Sequence, residues 1–217
     1  MIRIKICCIK NLREAKLAIN LGIDSLGFVS EMPSGPGVIS LDKIQRIIKN
    51  IPPYISTSLL TSKINFDDIS KQMLITKANT IQIVDKVDIE VYLNLKKYFP
   101  FIKIIQVIHV LSEKDIYESL KIEKYVDAFL LDSGNPNLRI KKLGGTGRTH
   151  DWNISREIRN RVKKPIILAG GLNSDNVREA IKIVNPYAVD VCSGVRTNGI
   201  LDKNKLLKFI KAVYENN

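Results

Sequence analysis

Short runs rich in Ile, Val, Leu and Phe recur along the chain: Ile2–Ile9, Ser25–Ser30, Tyr54–Thr61, Thr80–Val84, Ile102–Ile108, Ala128–Leu131, Pro165–Ala169 and Ala188–Cys192. None alternates strictly, which is the pattern of parallel strands covered on both faces. Between them apolar residues fall near a spacing of 3.6. Leu12-Ala15-Leu17-Ala18-Leu21 predicts a helix stopped by Gly22. Ile44-Ile47-Ile48 predicts a second, and Val177-Ala180-Ile181-Val184 a third, with Asn173 and Ser174 as candidate caps. Leu206-Leu207-Ile210-Val213 predicts the last.

Eight strand-then-helix units in 217 residues predict a single-domain (β/α)8 TIM barrel over residues 1–217. A doubly wound open sheet is the alternative. The longest irregular stretches, Glu31–Ser40 and Ser133–Trp152, follow the second and sixth runs. Both therefore fall at the strand ends where barrel enzymes place their chemistry.

Composition narrows the class. With 45% hydrophobic residues the chain can bury its own core without disulfides or a structural metal. Three Cys, two of them adjacent, do not make a secreted disulfide framework and favour a reducing compartment. No apolar run approaches the roughly 18 residues of a membrane span, and the start alternates like a strand rather than a secretory signal. The expectation is a cytoplasmic, unprocessed chain without a membrane partner. Thirty-four Lys and Arg against 22 Asp and Glu give +12, which suits nucleic acid or an anionic substrate. Aromatic residues make up only 6%, and no segment interleaves them with basic ones as single-strand binders do. No nucleic-acid partner is expected, which leaves a small anionic molecule.

Three glycine clusters follow the last three strands: Gly144-Gly145-Thr146-Gly147, Gly170-Gly171 and Ser193-Gly194. Glycine lets backbone N–H groups approach an anion closely, and loops after strands seven and eight form the recurrent phosphate site of this fold. A phosphorylated ligand is the expectation. Asp132 ends the sixth strand, where partial burial would suit a carboxyl for acid work; a cap of the Ser133-Gly134 corner is the other reading. On the first strand Lys5 and Cys7 share a parity opposite to Ile4, Ile6 and Cys8. The apolar set belongs under the helices, so Cys7 points inward beside a lysine that favours a thiolate, while Cys8 and Cys192 read as inert core cysteines. Two His without paired metal-ligand spacing argue against zinc. No Walker loop, dinucleotide fingerprint or nucleophile elbow is present, so neither metal nor organic cofactor is expected.

Lys5-Ile6-Cys7, Leu130-Leu131-Asp132, Gly144–Gly147 with Asp151-Trp152, Ala169-Gly170-Gly171-Leu172-Asn173 with Asn176-Val177, and Val189-Asp190-Val191 with Ser193-Gly194-Val195 together resemble the phosphoribosylanthranilate isomerase family over nearly the full chain. The resemblance implies a (β/α)8 barrel performing the Amadori rearrangement of N-(5′-phosphoribosyl)anthranilate in tryptophan biosynthesis, with no cofactor. It further implies Cys7 as general base, Asp132 as general acid and the Gly-rich loops as the phosphate site.

The departures lie where the aglycone is recognised. A Ser-Pro-Arg type loop reads Met32-Pro33-Ser34-Gly35-Pro36-Gly37-Val38, without Arg. Gln-Leu-His-Gly reads Gln82-Ile83-Val84-Asp85, the Gly after the family's cysteine is Cys8, and the Glu after Ser-Gly-Val is Arg196. Arg196 first, and Arg148 second, are the expected replacements for the lost cation that would meet the anthranilate carboxylate. Two other functions remain compatible with the pattern: a related barrel isomerase for a different phosphorylated sugar, and a non-catalytic phosphate-binding protein.

Overall fold

In the computed structural model, which describes residues 1–141, 143 and 147–215, eight parallel strands close into a barrel in chain order. They are β1 (Arg3–Ile6), β2 (Ser25–Val29), β3 (Ser56–Thr61), β4 (Thr80–Ile83), β5 (Lys103–His109), β6 (Ala128–Asp132), β7 (Ile166–Leu168) and β8 (Ala188–Val191). Closure comes from β8 pairing with β1, which sets Lys5 opposite Asp190. Around the barrel lie α1 (Leu12–Asn20), α2 (Leu41–Ile48), α3 (Phe66–Thr76), α4 (Ile89–Tyr98), α5 (Lys114–Ile122), α6 (Trp152–Arg161), α7 (Val177–Val184) and α8 (Lys203–Tyr214). A ribbon of β9 (Arg196–Thr197) and β10 (Ile200–Leu201) sits between β8 and α8. The open-sheet alternative is excluded by the closed ring. No helix among the described residues is long and apolar enough to cross a membrane.

Strand alternation sorts the core into two layers. Ile4, Ile6, Phe129 and Leu131 join the layer between sheet and helices. Leu130, Val107, Ile105, Ile167 and Ala188 fill the barrel interior. Each such fully buried aliphatic or aromatic side chain contributes about 1.5–3 kcal/mol of transfer free energy. Helix starts are fixed by side-chain acceptors: Asn11 Oδ1 takes the Glu14 N–H at 2.9 Å, and Asp202 Oδ1 takes those of Asn204 and Lys205 at 2.9 and 3.1 Å.

Two local expectations are corrected. Helix α7 starts after Asn176, and Asn173 instead accepts the N–H groups of Asp175 and Asn176, building the turn that leads into the helix. Strand β1 stops at Ile6 because Cys8 takes a left-handed conformation, φ +63°, which ends the alternation.

Candidate active site

The C-terminal ends of the strands surround a cavity of about 720 Å³, counting its open mouth. On its floor Lys5 Nζ meets Asp190 Oδ2 at 2.9 Å, with both side chains buried. Burial works against the Lys5 charge, but Asp190 and Cys7 more than offset it and hold the ammonium up at about 12. Lys5 is therefore a fixed cation. Its Nζ and Cys7 Sγ pack against the same glycine, each 3.1–3.2 Å from where a Cβ on Gly27 would stand. The parity argument placed Lys5 and Cys7 inside, and both are there.

It failed for Cys8. The left-handed turn swings Cys8 Sγ into the cavity wall, 3.8 Å from Cys7 Sγ and 3.5 Å from the Pro36 carbonyl that accepts from it. Cys192, half-buried, lines the same wall. Both therefore line the cavity rather than the layer under the helices. The hydrogen bond from Cys8 to Cys192 pushes the Cys8 thiol up and the Cys192 thiol down, and nearby Arg196 also favours the Cys192 thiolate. Cys8 thus keeps its proton and offers it to its neighbours.

Asp132, at the end of β6, lines the cavity at 8% exposure. Burial pushes its carboxyl up, against the opposing pull of His109, the Ser133 N–H and Lys5. His109 is its register partner on β5 and donates from Nε2 to the Val84 carbonyl at 2.8 Å. Asp190 also lines the cavity; burial raises it while Lys5 pulls it back down. Its Oδ1 is buried without a hydrogen-bond partner among the described residues. The sequence reading did not single out Asp190 as a site residue. The available signal was its place on the inward face of β8, in register with Lys5.

The far end of the cavity is lined by Gly147, Gly170, Gly171 and Ser193, drawn from three loops, with Gly194 following in the same turn. These loops touch through their glycines. A Cβ on Gly194 would stand 2.1 Å from the Leu172 carbonyl, so only glycine permits the eighth loop to lie on the seventh. A Cβ on Gly171 would stand 2.7 Å from the Arg148 carbonyl oxygen, which fixes the Arg148 backbone at this end of the cavity. Gly144, Gly145 and Thr146 lie outside the described residues. His150 stands behind this end; burial lowers it to about 4, so it is neutral at pH 7 and hydrogen-bonded to Ser155 Oγ at 2.7 Å.

Arg196 does not face the cavity. Its guanidinium binds both Glu14 oxygens at 3.0 and 3.1 Å and donates to the Cys7 and Cys8 carbonyls at 3.1 and 2.7 Å. A guanidinium held this way cannot also reach a substrate carboxylate, so Arg196 is withdrawn from that role. It is a clamp on the end of β1. Arg196→Met would leave Glu14 buried and unpaired, at a cost of about 3–5 kcal/mol. At roughly 2–4 °C per kcal/mol for a chain of this length, the thermal midpoint should fall by on the order of 10 °C. An unchanged midpoint with weaker substrate binding would return Arg196 to the carboxylate.

The second loop packs tightly against the end of β1. Gly37, φ +89°, lies so close to Cys8 that a Cβ there would stand 2.5 Å from Cys8 Cβ. Cys8 fills the space that a side chain at position 37 would need.

A family model described as N-(5′-phosphoribosyl)anthranilate (PRA) isomerase matches residues 4–212. N-(5′-phosphoribosyl)anthranilate isomerase 2 of Methanosarcina mazei is 39% identical over 210 residues, covering 96% of this chain and 92% of that one. The isomerase of Methanothrix thermoacetophila is 34% identical over 216 residues, 98% of each chain. Among solved structures, phosphoribosyl anthranilate isomerase from Thermotoga maritima superposes with a TM-score of 0.84 at 32% identity, covering 99% of this chain and all of the other. An isomerase crystallised with reduced 1-(o-carboxyphenylamino)-1-deoxyribulose 5-phosphate gives 0.82 at 30% identity, with the same coverage.

Proposed function

The chain belongs to the N-(5′-phosphoribosyl)anthranilate isomerase family, and we propose that Cys7 and Asp132 carry the reaction between them. The protein is an isomerase of tryptophan biosynthesis that rearranges an aminoaldose into an aminoketose. Proton transfers alone balance that reaction. Asp132 gives its proton to the ribose ring oxygen, the C1′–O bond breaks, and the nitrogen lone pair closes a C1′=N iminium. Cys7 then takes the C2′ proton, whose electrons form the C1′=C2′ bond of an enolamine. Ketonisation moves the O2′ proton to C1′.

The observation that carries this reading is the placement of a thiol and a burial-raised carboxyl in one cavity whose far end is lined by glycine loops. An acid must hold its proton at working pH, and burial supplies that at Asp132. The thiolate form of Cys7 suffices as base because the iminium makes the C2′ proton acidic, and the Lys5 ammonium stands beside it. Asp190 Oδ1 would find its missing partner in a ribose hydroxyl. Phosphate anchored at Gly147, Gly170, Gly171, Ser193 and Gly194 fixes the sugar between acid and base. Free thiols at the mouth fit a reducing compartment, and we place the reaction in the cytoplasm.

Restored growth without tryptophan in a strain lacking the isomerase tests the activity; no growth with the protein expressed and folded argues against it. Inorganic phosphate tests the anchor. Its addition should shift the amide signals of Gly147, Gly170, Gly171, Ser193 and Gly194, and it should compete with substrate. Amides of the seventh and eighth loops that stay unmoved at inhibitory phosphate would remove the anchor from this end.

A further inference from the structure

The substrate carries an aromatic carboxylate at the end opposite its phosphate, and the second loop, packed against Cys8, offers it no cation. We propose that Lys141 is that cation, held at the rim of the cavity by Asp85; this rests on the isomerase reading above.

Several other cations among the described residues are placed elsewhere. Lys5 lies on the floor against Asp190, and Arg196 is clamped by Glu14. Lys63 pairs with Glu31, and Lys86 with Glu118. The Arg148 backbone sits at the phosphate end, against Gly171. Lys141 stands on the opposite side. Its carbonyl accepts the Ser34 hydroxyl at 2.6 Å, and Ser34 is part of the cavity wall. Two residues on, Leu143 is buried in that wall with Cys7 and Cys8. The Lys141 Nζ reaches Asp85 Oδ2; Asp85 directly follows Val84 of the wall and itself lines the adjoining pocket, which shares Val107 with the cavity. The sixth loop therefore carries Lys141 across the rim from the second loop to the end of β4.

The charge arithmetic suits a carboxylate ligand. Asp85 is 8% exposed, and a carboxylate so buried holds its counter-charge firmly, which fixes the ammonium before substrate arrives. An ammonium has three N–H donors, and Asp85 is the one acceptor recorded for Lys141 among the described residues. Two donors remain for a second carboxylate, and the half-exposed side chain leaves room for it. The departures from the family pattern fit together on this account. Cys8 packs against Gly37 in a second loop that holds no Arg, while Asp85 stations a lysine from another loop.

Lys141→Met should raise KM for N-(5′-phosphoribosyl)anthranilate about ten- to a hundredfold and leave kcat within a few fold, with Lys141→Arg restoring most of the loss. Asp85→Asn separates binding from mere latching of the loop. Asn keeps an acceptor for the ammonium but holds it less firmly, so KM should rise by clearly less than in Lys141→Met, whereas a latch would suffer equally from either substitution. Two probes complete the test: reduced 1-(o-carboxyphenylamino)-1-deoxyribulose 5-phosphate, and its phenylamino counterpart lacking the carboxylate. Lys141→Met should weaken the first and spare the second. Unchanged affinity for both, or equal loss for both, overturns the proposal. Because the probes need no turnover, they judge Lys141 separately, and failure of the unsubstituted protein to isomerise the substrate would strike the isomerase reading instead.

Discussion

Asp132→Asn is expected to lower kcat at least about a hundredfold, since a positioned general acid typically contributes 10²–10⁴. The amide keeps the size of the side chain and an oxygen for the Ser133 N–H, but it has no proton to give the ring oxygen. The pH dependence follows from the direction of the shift. Burial raises the Asp132 carboxyl, so its proton is retained further up the pH scale than in a solvated aspartate. kcat/KM should fall as pH rises through the folded-state pKa of Asp132, because the acid form is the active one. The residual activity of the variant should lack that limb. Steady-state rates across pH, with phosphate affinity measured in parallel, check both parts. Near-normal turnover in the variant removes Asp132 as the acid, and parallel loss of phosphate binding would make it a structural residue.

Cys7→Ser should cost a similar factor by the opposite failure. Serine is nearly isosteric, but its hydroxyl is far too weak an acid to ionise beside Lys5 near neutrality, so the C2′ proton has no base. The neighbouring thiol supplies the control. Cys8 holds its proton through hydrogen bonds to Cys192 and Cys7, so Cys8→Ala should retain most of the activity. The reverse result, an active Cys7→Ser and a dead Cys8→Ala, would move the base by one residue. Phosphate affinity should stay level in both, because neither thiol lies at the glycine end of the cavity.

The barrel was legible in the sequence because each strand announces itself locally. All eight apolar runs became strands, and their order is the order of the sheet. Lys5 and Cys7 point inward as alternation requires, because the Cys7 N–H still bonds the Val191 carbonyl and the extended path breaks only at Cys8. Cys8 was misread because a single left-handed residue ends the alternation, and nothing in CysCys marks it. Arg196 was misread for a different reason. Its partner Glu14 lies 182 residues away, and the geometry that joins them exists only once the ring closes. The same holds for Lys141 and Asp85, which are 56 residues apart. Spacing near the chain reveals secondary structure and glycine loops; ion pairs between distant units leave no trace in it.

The clamp on β1 bears on how the protein comes into being. The carbonyls of Cys7 and Cys8 are gripped by Arg196, and β1 finds one of its two neighbours only in β8. A chain emerging from the ribosome makes β1 before the other seven strands and Arg196, so the thiol waits until the whole barrel has been made for the contacts that hold it in place. The glycine loops after β6, β7 and β8, by contrast, come from consecutive units that can assemble on one another. A barrel that has its glycine loops but has not closed β8 onto β1 would on this account hold phosphate without turnover. Catalysis would arrive with the final stitch of the ring.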